Sequence, residues 1–153
     1  MRLSNGFDAS ASALTAQRFR MDVISSNIAN AETTRGKVVN GQFEPYTRKL
    51  TVMEPIRPSF AETLRSQMNG GISSTPAQGG VKVAQVMEDR TPPKLVYNPS
   101  HPDADAEGYV KLPNVDVLKE MVDMISATRS YEANVTALNA TKSMFAKALE
   151  IGK

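Results

Sequence analysis

The sequence contains no cysteine and no tryptophan, and histidine occurs only once. Without a thiol, the chain has no disulfide, no zinc–thiolate site and no cysteine nucleophile. A Ser-His-Asp triad would have to use His101, which lies between turn-forming residues, and no G-x-S-x-G elbow is present. Neither a G-x-G-x-x-G fingerprint nor a P-loop occurs. We therefore expect no catalytic residue, no cofactor, no metal and no small-molecule substrate.

Three further absences narrow the class of protein. No run of 18 apolar residues occurs, so no transmembrane helix is expected. The net charge is +2, and the basic residues are scattered along the chain, which argues against nucleic acid as a partner. The first 20 residues contain no apolar core of the kind that a secretory signal requires. We expect that the protein, if it works outside the cytoplasm, leaves without a cleaved signal peptide.

The most regular part of the sequence runs from Val115 to Leu149, which contains neither glycine nor proline. One series of residues recurs every seven positions and a second series follows it four positions behind, a spacing typical of coiled-coil packing. The first series is Val117, Met124, Tyr131, Leu138 and Phe145, and the second is Met121, Thr128, Val135, Lys142 and Leu149. Asn114 is the predicted N-cap. A helix of this length spans roughly 50 Å, so the sequence predicts an elongated molecule.

A second helix is predicted from about Ser4 to Asn30. Its seam also has a period of seven, with Phe7, Leu14, Met21 and Ile28. The stretch that closes it, SSNIANAETTRG at Ser25–Gly36, reads as a helix end. There Asn27 and Asn30 are expected to bond the backbone groups that the helix leaves free.

The middle of the chain has a different composition, because it carries most of the prolines and glycines. Strands are predicted at Tyr46–Met53, Val81–Met87 and Lys94–Tyr97, a short helix at Ser59–Met68, and a mobile loop at Asn69–Gly80. The predicted organisation is an N-terminal helical segment at 1–35, a β-rich region at 36–112 and a C-terminal helical segment at 113–153. The predicted fold is mainly α, with two long terminal helices packed as a coiled-coil-like pair around a short β-hairpin or sheet insert.

An acidic turn, DADAEG at 103–108, imitates the start of a calcium loop. Counted from Asp103, the ninth position is Lys111 and the twelfth is Asn114. A calcium loop of this type needs a bidentate glutamate at the twelfth position. A solvated acidic turn is the better interpretation.

The seams of both helices are incomplete, since Arg18, Ser25, Thr128 and Lys142 occupy seam positions. Apolar burial between the two helices is only comparable to what ordering such long helices costs, so an isolated pair of them is expected to be marginally stable. We expect the helices to finish their packing against neighbouring subunits and to become ordered on assembly.

Two stretches resemble a known family. SSNIANAETTRG is similar to the N-terminal signature of bacterial flagellar rod and hook proteins. The segment Gly108–Met144, with PNVD at Pro113–Asp116 and SYEAN at Ser130–Asn134, resembles the C-terminal region of the proximal-rod members of that family. The resemblance covers Met1–Arg35 and Gly79–Lys153.

The resemblance implies a structural subunit that polymerises with other flagellar rod proteins and with further copies of itself in the periplasm. It implies contacts with the junction of the MS ring and export gate, with the distal rod, and with the flagellar type III export apparatus during secretion. The residues that it implies for subunit packing lie on the two helices. They are Phe7, Leu14, Met21, Asn27, Ile28 and Asn30, and Val117, Met121, Met124, Tyr131, Val135, Leu138, Phe145 and Leu149.

Two other interpretations of the sequence stay open at this point. Another axial protein of the same family would share the helices and the signature. A helical adaptor or export chaperone would share the helices, but it would form a discrete soluble oligomer.

Overall fold

The computed structural model describes residues 4–39, 41–57 and 79–151, together with Ala61, Leu64 and Met68. Helix α1 spans Ser4–Ala29 and helix α2 spans Val117–Ile151. Between them, the described residues form the strands β1 Lys37–Val39, β2 Gln42–Glu44, β3 Lys49–Pro55, β4 Val81–Glu88, β5 Lys94–Tyr97 and β6 Tyr109–Leu112. The predicted combination of two long terminal helices with a small β insert is thus confirmed.

The chain divides into two compact units. The first unit comprises Met1–Phe19, Met53–Ala84 and Thr128–Lys153, and the second comprises Arg20–Val52 and Gln85–Ala127. Among the described residues of the first unit, only Ala16 is buried. The buried residues described in the second unit are Ile24, Asn27, Pro45, Val110, Pro113, Val115, Glu120 and Ala127.

In the described part of the β insert, the strands pair as separate two-stranded sheets, β1–β2, β3–β4 and β5–β6, rather than as one sheet. In the antiparallel β1–β2 hairpin, Val38 lies opposite Phe43, and Gly41 adopts a φ of 80° at the turn. In the antiparallel β5–β6 pair, the rings of Tyr97 and Tyr109 meet edge to face at 5.4 Å. Gly108, with a φ of 82°, leads into β6, since this left-handed conformation costs a glycine little.

Strand β3 begins later than the sequence predicts, at Lys49 rather than Tyr46. The reason is that the backbone of the preceding residues bonds elsewhere. The N–H of Tyr46 donates to the carbonyl of Thr33, and the N–H of Arg48 donates to Oδ1 of Asn114. Residues 46–48 therefore tie the strand to its surroundings before the β3–β4 sheet starts.

Helix α2 also begins later than predicted, and its N-cap is Asp116 instead of Asn114. Oδ1 of Asp116 accepts the backbone N–H groups of Leu118 at 3.1 Å and Lys119 at 3.4 Å, which is the bonding of an N-cap. Pro113 and Val115 are buried and precede the helix, with a bend at Asn114 between them. The side chain of Asn114 is thereby directed to other partners.

Two predictions fall largely outside the described residues. Within the predicted helix Ser59–Met68, the structure describes Ala61, Leu64 and Met68, and each is helical. Of the predicted loop Asn69–Gly80, only the last two residues are described. In the part of the chain that the structure describes, neither α1 nor α2 combines the length and apolarity needed to cross a membrane.

Candidate functional site

The second unit contains a buried polar network centred on Asn27, whose side chain is 1% exposed. Its Oδ1 accepts hydrogen bonds from the hydroxyl of Tyr46 at 3.0 Å and from the N–H of Lys49 at 2.9 Å. Its Nδ2 donates to the carbonyl of Lys49 at 2.9 Å and to Oε2 of Glu120 at 3.0 Å. All four hydrogen-bonding capacities of the amide are used. The sequence predicts that Asn27 bonds the free backbone groups of its own helix, and this prediction is wrong. The side chain points toward β3 and bonds Lys49 there instead.

Glu120 is fully buried, and its charge is matched by Arg48. The Nε of Arg48 donates to Oε1 of Glu120 at 2.6 Å, while its terminal nitrogens lie 3.5 Å from Asp89 and 3.6 Å from Asp123. A buried carboxylate requires both a counter-charge and hydrogen bonds. Arg48 supplies the charge and a bond at Oε1, and Asn27 supplies a bond at Oε2.

Within the second unit, the network joins the end of α1 to the start of α2. Asn27 of α1 bonds Glu120 of α2, and Arg20, two turns earlier on α1, lies 3.5 Å from Asp123. The contacts advance along one helix as they retreat along the other, so the two segments run antiparallel here.

Asn114 extends the network to the connection before β5. Its Nδ2 donates to the carbonyl of Thr91 at 3.1 Å, and its Oδ1 accepts from Arg48. Hydrogen bonds from the hydroxyl and the N–H of Thr91, reinforced by Arg48, lower the pKa of Asp89 below its ordinary value. Asp89 therefore stays ionised as a second acceptor for Arg48.

The acidic turn is held to the segment that follows α1. The guanidinium of Arg35 and the hydroxyl of Thr34 both donate to the carboxylate of Asp103, the latter at 2.7 Å. The hydrogen bond from Arg35 lowers the pKa of Asp103 most, and the hydrogen bond from Thr34 lowers it further. His101 behaves as the predicted turn residue, since its Nδ1 accepts the N–H of Asp103. The carboxylate that would open a calcium loop is thus engaged by a cation. Across the described residues, no three acidic or histidine side chains converge as metal ligands.

Asn30, the second asparagine of the signature, does what the sequence predicts. Its Nδ2 donates to the carbonyl of Ser26 at 2.8 Å, one turn back on α1, and its Oδ1 accepts from Thr33. The two asparagines thus have different roles. Asn30 bonds the last turn of α1, and Asn27 connects α1 to β3 and α2.

The residues predicted to pack between subunits have three levels of exposure. Phe7, Val117, Met121 and Leu149 are exposed, at 42%, 41%, 51% and 75%. The half-buried members are Leu14, Met21, Ile28, Asn30, Met124, Tyr131, Val135, Leu138 and Phe145, and Asn27 is buried. Packing between subunits at these residues stays a prediction.

The first predicted series of α2 differs from the rest only at its start. Val117 is 41% exposed, whereas Met124, Tyr131, Leu138 and Phe145 are all half-buried. The buried positions near the start of α2 are instead Glu120 and Ala127.

The first three turns of α2 carry an apolar outer face on the side away from Glu120. We define the outer face as Val117, Leu118, Met121, Val122 and Ile125, which are 41–75% exposed. Their spacing of three to four residues places them side by side on one side of a helix. Leu118, Val122 and Ile125 were not among the predicted packing residues, although their own i, i+4, i+7 spacing was a signal.

Comparison with known proteins places these features in a family. Residues 7–36 match the family described as flagella basal body rod protein, and residues 106–151 match the one described as flagellar basal body rod FlgEFG protein C-terminal. The chain is 59% identical to flagellar basal-body rod protein FlgC of Bacillus subtilis over 153 residues, which is all of both chains. The chain belongs to the FlgC family of flagellar basal-body rod proteins.

Other FlgC relatives are similar over the same span. The identity is 46% over 155 residues with FlgC of Salmonella typhimurium, covering both chains fully. It is 43% over 158 residues with FlgC of Borreliella burgdorferi, covering 99% of this chain and 98% of the relative. The resemblance seen in the sequence is therefore confirmed, and it extends through residues 36–78 as well. The chain is a structural subunit of the flagellar basal-body rod. The family to which it belongs is a family of structural proteins and not a known class of enzyme.

Proposed function

We propose that this FlgC-family chain is a subunit of the proximal rod. In this proposal it polymerises with other rod proteins and with copies of itself into a hollow shaft. The shaft transmits torque and lets exported flagellar proteins pass. The observation that carries the proposal is the 59% identity with a FlgC rod protein over the whole of both chains.

The exposed faces of the helices support a role in assembly. The outer face of α2 presents five neighbouring apolar side chains, of which Leu118 is 75% and Val122 is 66% exposed. Contiguous apolar surface of this kind typically marks contact with another protein. The half-buried seam around Tyr131, Leu138 and Phe145 provides a second surface that a neighbouring helix could complete.

We further propose a route and a place for the protein. The subunit travels through the flagellar type III apparatus without a cleaved signal and assembles in the periplasm. There it connects the junction of the MS ring and export gate to the distal rod. The absence of cysteine suits this route, since no disulfide has to form before or after export.

The primary experiment is deletion of the gene, followed by electron microscopy of isolated basal bodies and a motility assay. The deletion should remove the rod and motility, and a plasmid copy of the wild-type gene should restore both. Intact rods in the deletion strain would contradict the proposal. A purified chain that forms a discrete soluble oligomer with export substrates would favour the adaptor interpretation instead.

Two substitutions test the outer face in the same strain. Val122→Asp places a charge on this face, where it should leave the unfolding free energy of the chain within about 0.5 kcal/mol but abolish rods and motility. Val122→Met keeps the face apolar and should complement fully. Rods of normal number with Val122→Asp would show that the outer face is not an interface.

Leu138→Asp tests the half-buried seam. We expect export to be retained, with the variant found in the periplasmic fraction, while assembly and motility are lost. Asn139→Asp is the matched control, because Asn139 is the next residue in the chain, is exposed and is already polar. A motile Leu138→Asp strain would show that the seam is not used between subunits.

A further inference from the structure

Polar residues are unusual at a buried contact between two helices, and the second unit has two of them facing each other. Asn27 is 1% exposed and Glu120 is 0% exposed, and Nδ2 of the former donates to Oε2 of the latter at 3.0 Å. Apolar residues of similar volume would pack there without the cost of removing a carboxylate from water. The contact therefore calls for an explanation other than net stability.

The geometry requires an amide at position 27 in particular. Asn27 accepts from Tyr46 and from the N–H of Lys49, and it donates to the carbonyl of Lys49 and to Glu120. An aspartate there would lose both donors and would set its charge against Glu120. A leucine would leave the two backbone groups of Lys49 without these bonds, and a glutamine would be one methylene too long.

The apolar neighbours of this contact do not fix how α1 and α2 align. Ile24 and Ala127, the buried apolar residues of these two segments, make non-directional contacts that tolerate sliding. A slip by one turn moves Asn27 by about 5 Å along α2, which is beyond hydrogen-bonding reach of Glu120. The slipped state would bury a carboxylate without its amide donor. The free-energy cost of this unsatisfied group disfavours the slipped registers relative to the observed one.

We propose that Asn27 and Glu120 set the register of α1 against α2 in the second unit. Arg48 completes the device, because it holds Oε1 of Glu120 and leaves Oε2 for the amide. A single buried polar pair fixes register in other helix pairs by the same mechanism. In this chain the register determines the axial position of the outer face of α2 relative to the end of α1. The inference concerns the isolated chain and does not depend on its place in the proximal rod.

The absence of cysteine allows a direct test in the full-length chain. Cysteines introduced at Ala29 and Ile125, both exposed residues of the second unit, carry nitroxide labels for pulsed electron–electron distance measurements. The otherwise unchanged chain should give one narrow distance distribution. Asn27→Asp and Glu120→Gln should each add a second population, displaced by a few ångströms as a slip of about one turn requires. The Glu120→Gln change has this effect because an amide has a single oxygen, whereas Asn27 and Arg48 each need one.

A polarity swap separates register from simple loss of stability. In Asn27→Asp combined with Glu120→Gln, the introduced glutamine donates to the introduced aspartate and still accepts from Arg48, so the main population should return toward the original distance. Asn30→Asp is the control, because the side chain of Asn30 bonds Ser26 and Thr33, which are near it in the chain and do not belong to α2, and its distribution should not change. A single original distance in Asn27→Asp, a double variant no narrower than the single ones, or a broad distribution in the parent chain would each overturn the proposal.

Discussion

In the second unit, eight described residues are buried, and two of these, Asn27 and Glu120, are polar; in the first unit, Ala16 alone among the described residues is buried. The second unit thus buries a polar network in which both donors and both acceptor sites of the Asn27 amide are used. The first unit holds the half-buried seam residues Tyr131, Val135, Leu138 and Phe145 of α2. The difference teaches that the second unit combines a buried polar network of its own with the exposed apolar outer face of α2, whereas the described residues of the first unit, apart from Ala16, are half-buried or exposed.

The largest effect on this comparison should come from removing Arg48. Arg48→Met leaves the carboxylate of Glu120 buried without its counter-charge, and we expect the unfolding free energy of the second unit to fall by about 3–5 kcal/mol. Chemical denaturation followed by amide signals of the second unit measures it. Arg129→Met, which breaks the exposed pair with Glu132, should cost less than about 1 kcal/mol. Equal losses in the two variants would show that the network is not special.

Two glycine substitutions should act in opposite directions. A Cβ at Gly36 would lie 2.6 Å from the backbone nitrogen of Tyr46, so Gly36→Ala should lower the stability of the second unit by about 1–3 kcal/mol. A Cβ at Gly6 meets nothing within 4 Å, so Gly6→Ala should stabilise α1 in the first unit by about 0.5–1 kcal/mol. Thermal unfolding by circular dichroism measures both changes. A destabilised Gly6→Ala chain would contradict the account of the first unit.

The smallest effect concerns acid. The pKa values of Asp89 and Asp103 are lowered in the folded chain by hydrogen bonds, from Thr91 in the first case and from Arg35 in the second. Their contribution to stability is therefore full above the unfolded-state pKa of about 3.9 and is lost as the pH falls through the lower folded values. Both residues belong to the second unit, so acid should loosen this unit specifically.

Carbon-detected titration of the Asp103 carboxyl checks the cause of this pH dependence. Arg35→Gln should raise the pKa of Asp103 toward its ordinary value, because the main donor is lost. Arg129→Gln, at an exposed site paired with Glu132, should leave the titration of Asp103 unchanged. An unaltered Asp103 titration in Arg35→Gln would sink the assignment.

Several elements of the fold were predictable because their signals are local. The residues KLVY at Lys94–Tyr97 form a strand with the predicted bounds, and the predicted C-terminal helix is offset by only two residues at each end. The β1–β2 hairpin lies outside the predicted strands, although Asn40-Gly41 between short apolar runs is a strong local hairpin signal.

The polar network was not predictable from periodicity, for a physical reason. Glu120 lies outside both seven-residue series, and a charged residue on a long helix is usually solvated. Its burial depends on Arg48 and Asn27, which lie 72 and 93 residues away along the chain.

Hydrogen exchange of the full-length chain, alone and in isolated basal bodies, tests the central claim most directly. In the isolated chain, amides of α1 at 20–29 and α2 at 117–127 should be protected, while those at 4–19 and 128–151 should exchange much faster. Within basal bodies, the second pair of segments should become protected as neighbouring subunits cover them. Equal protection of all four segments in the isolated chain would contradict the account, as would unchanged exchange of 128–151 on assembly.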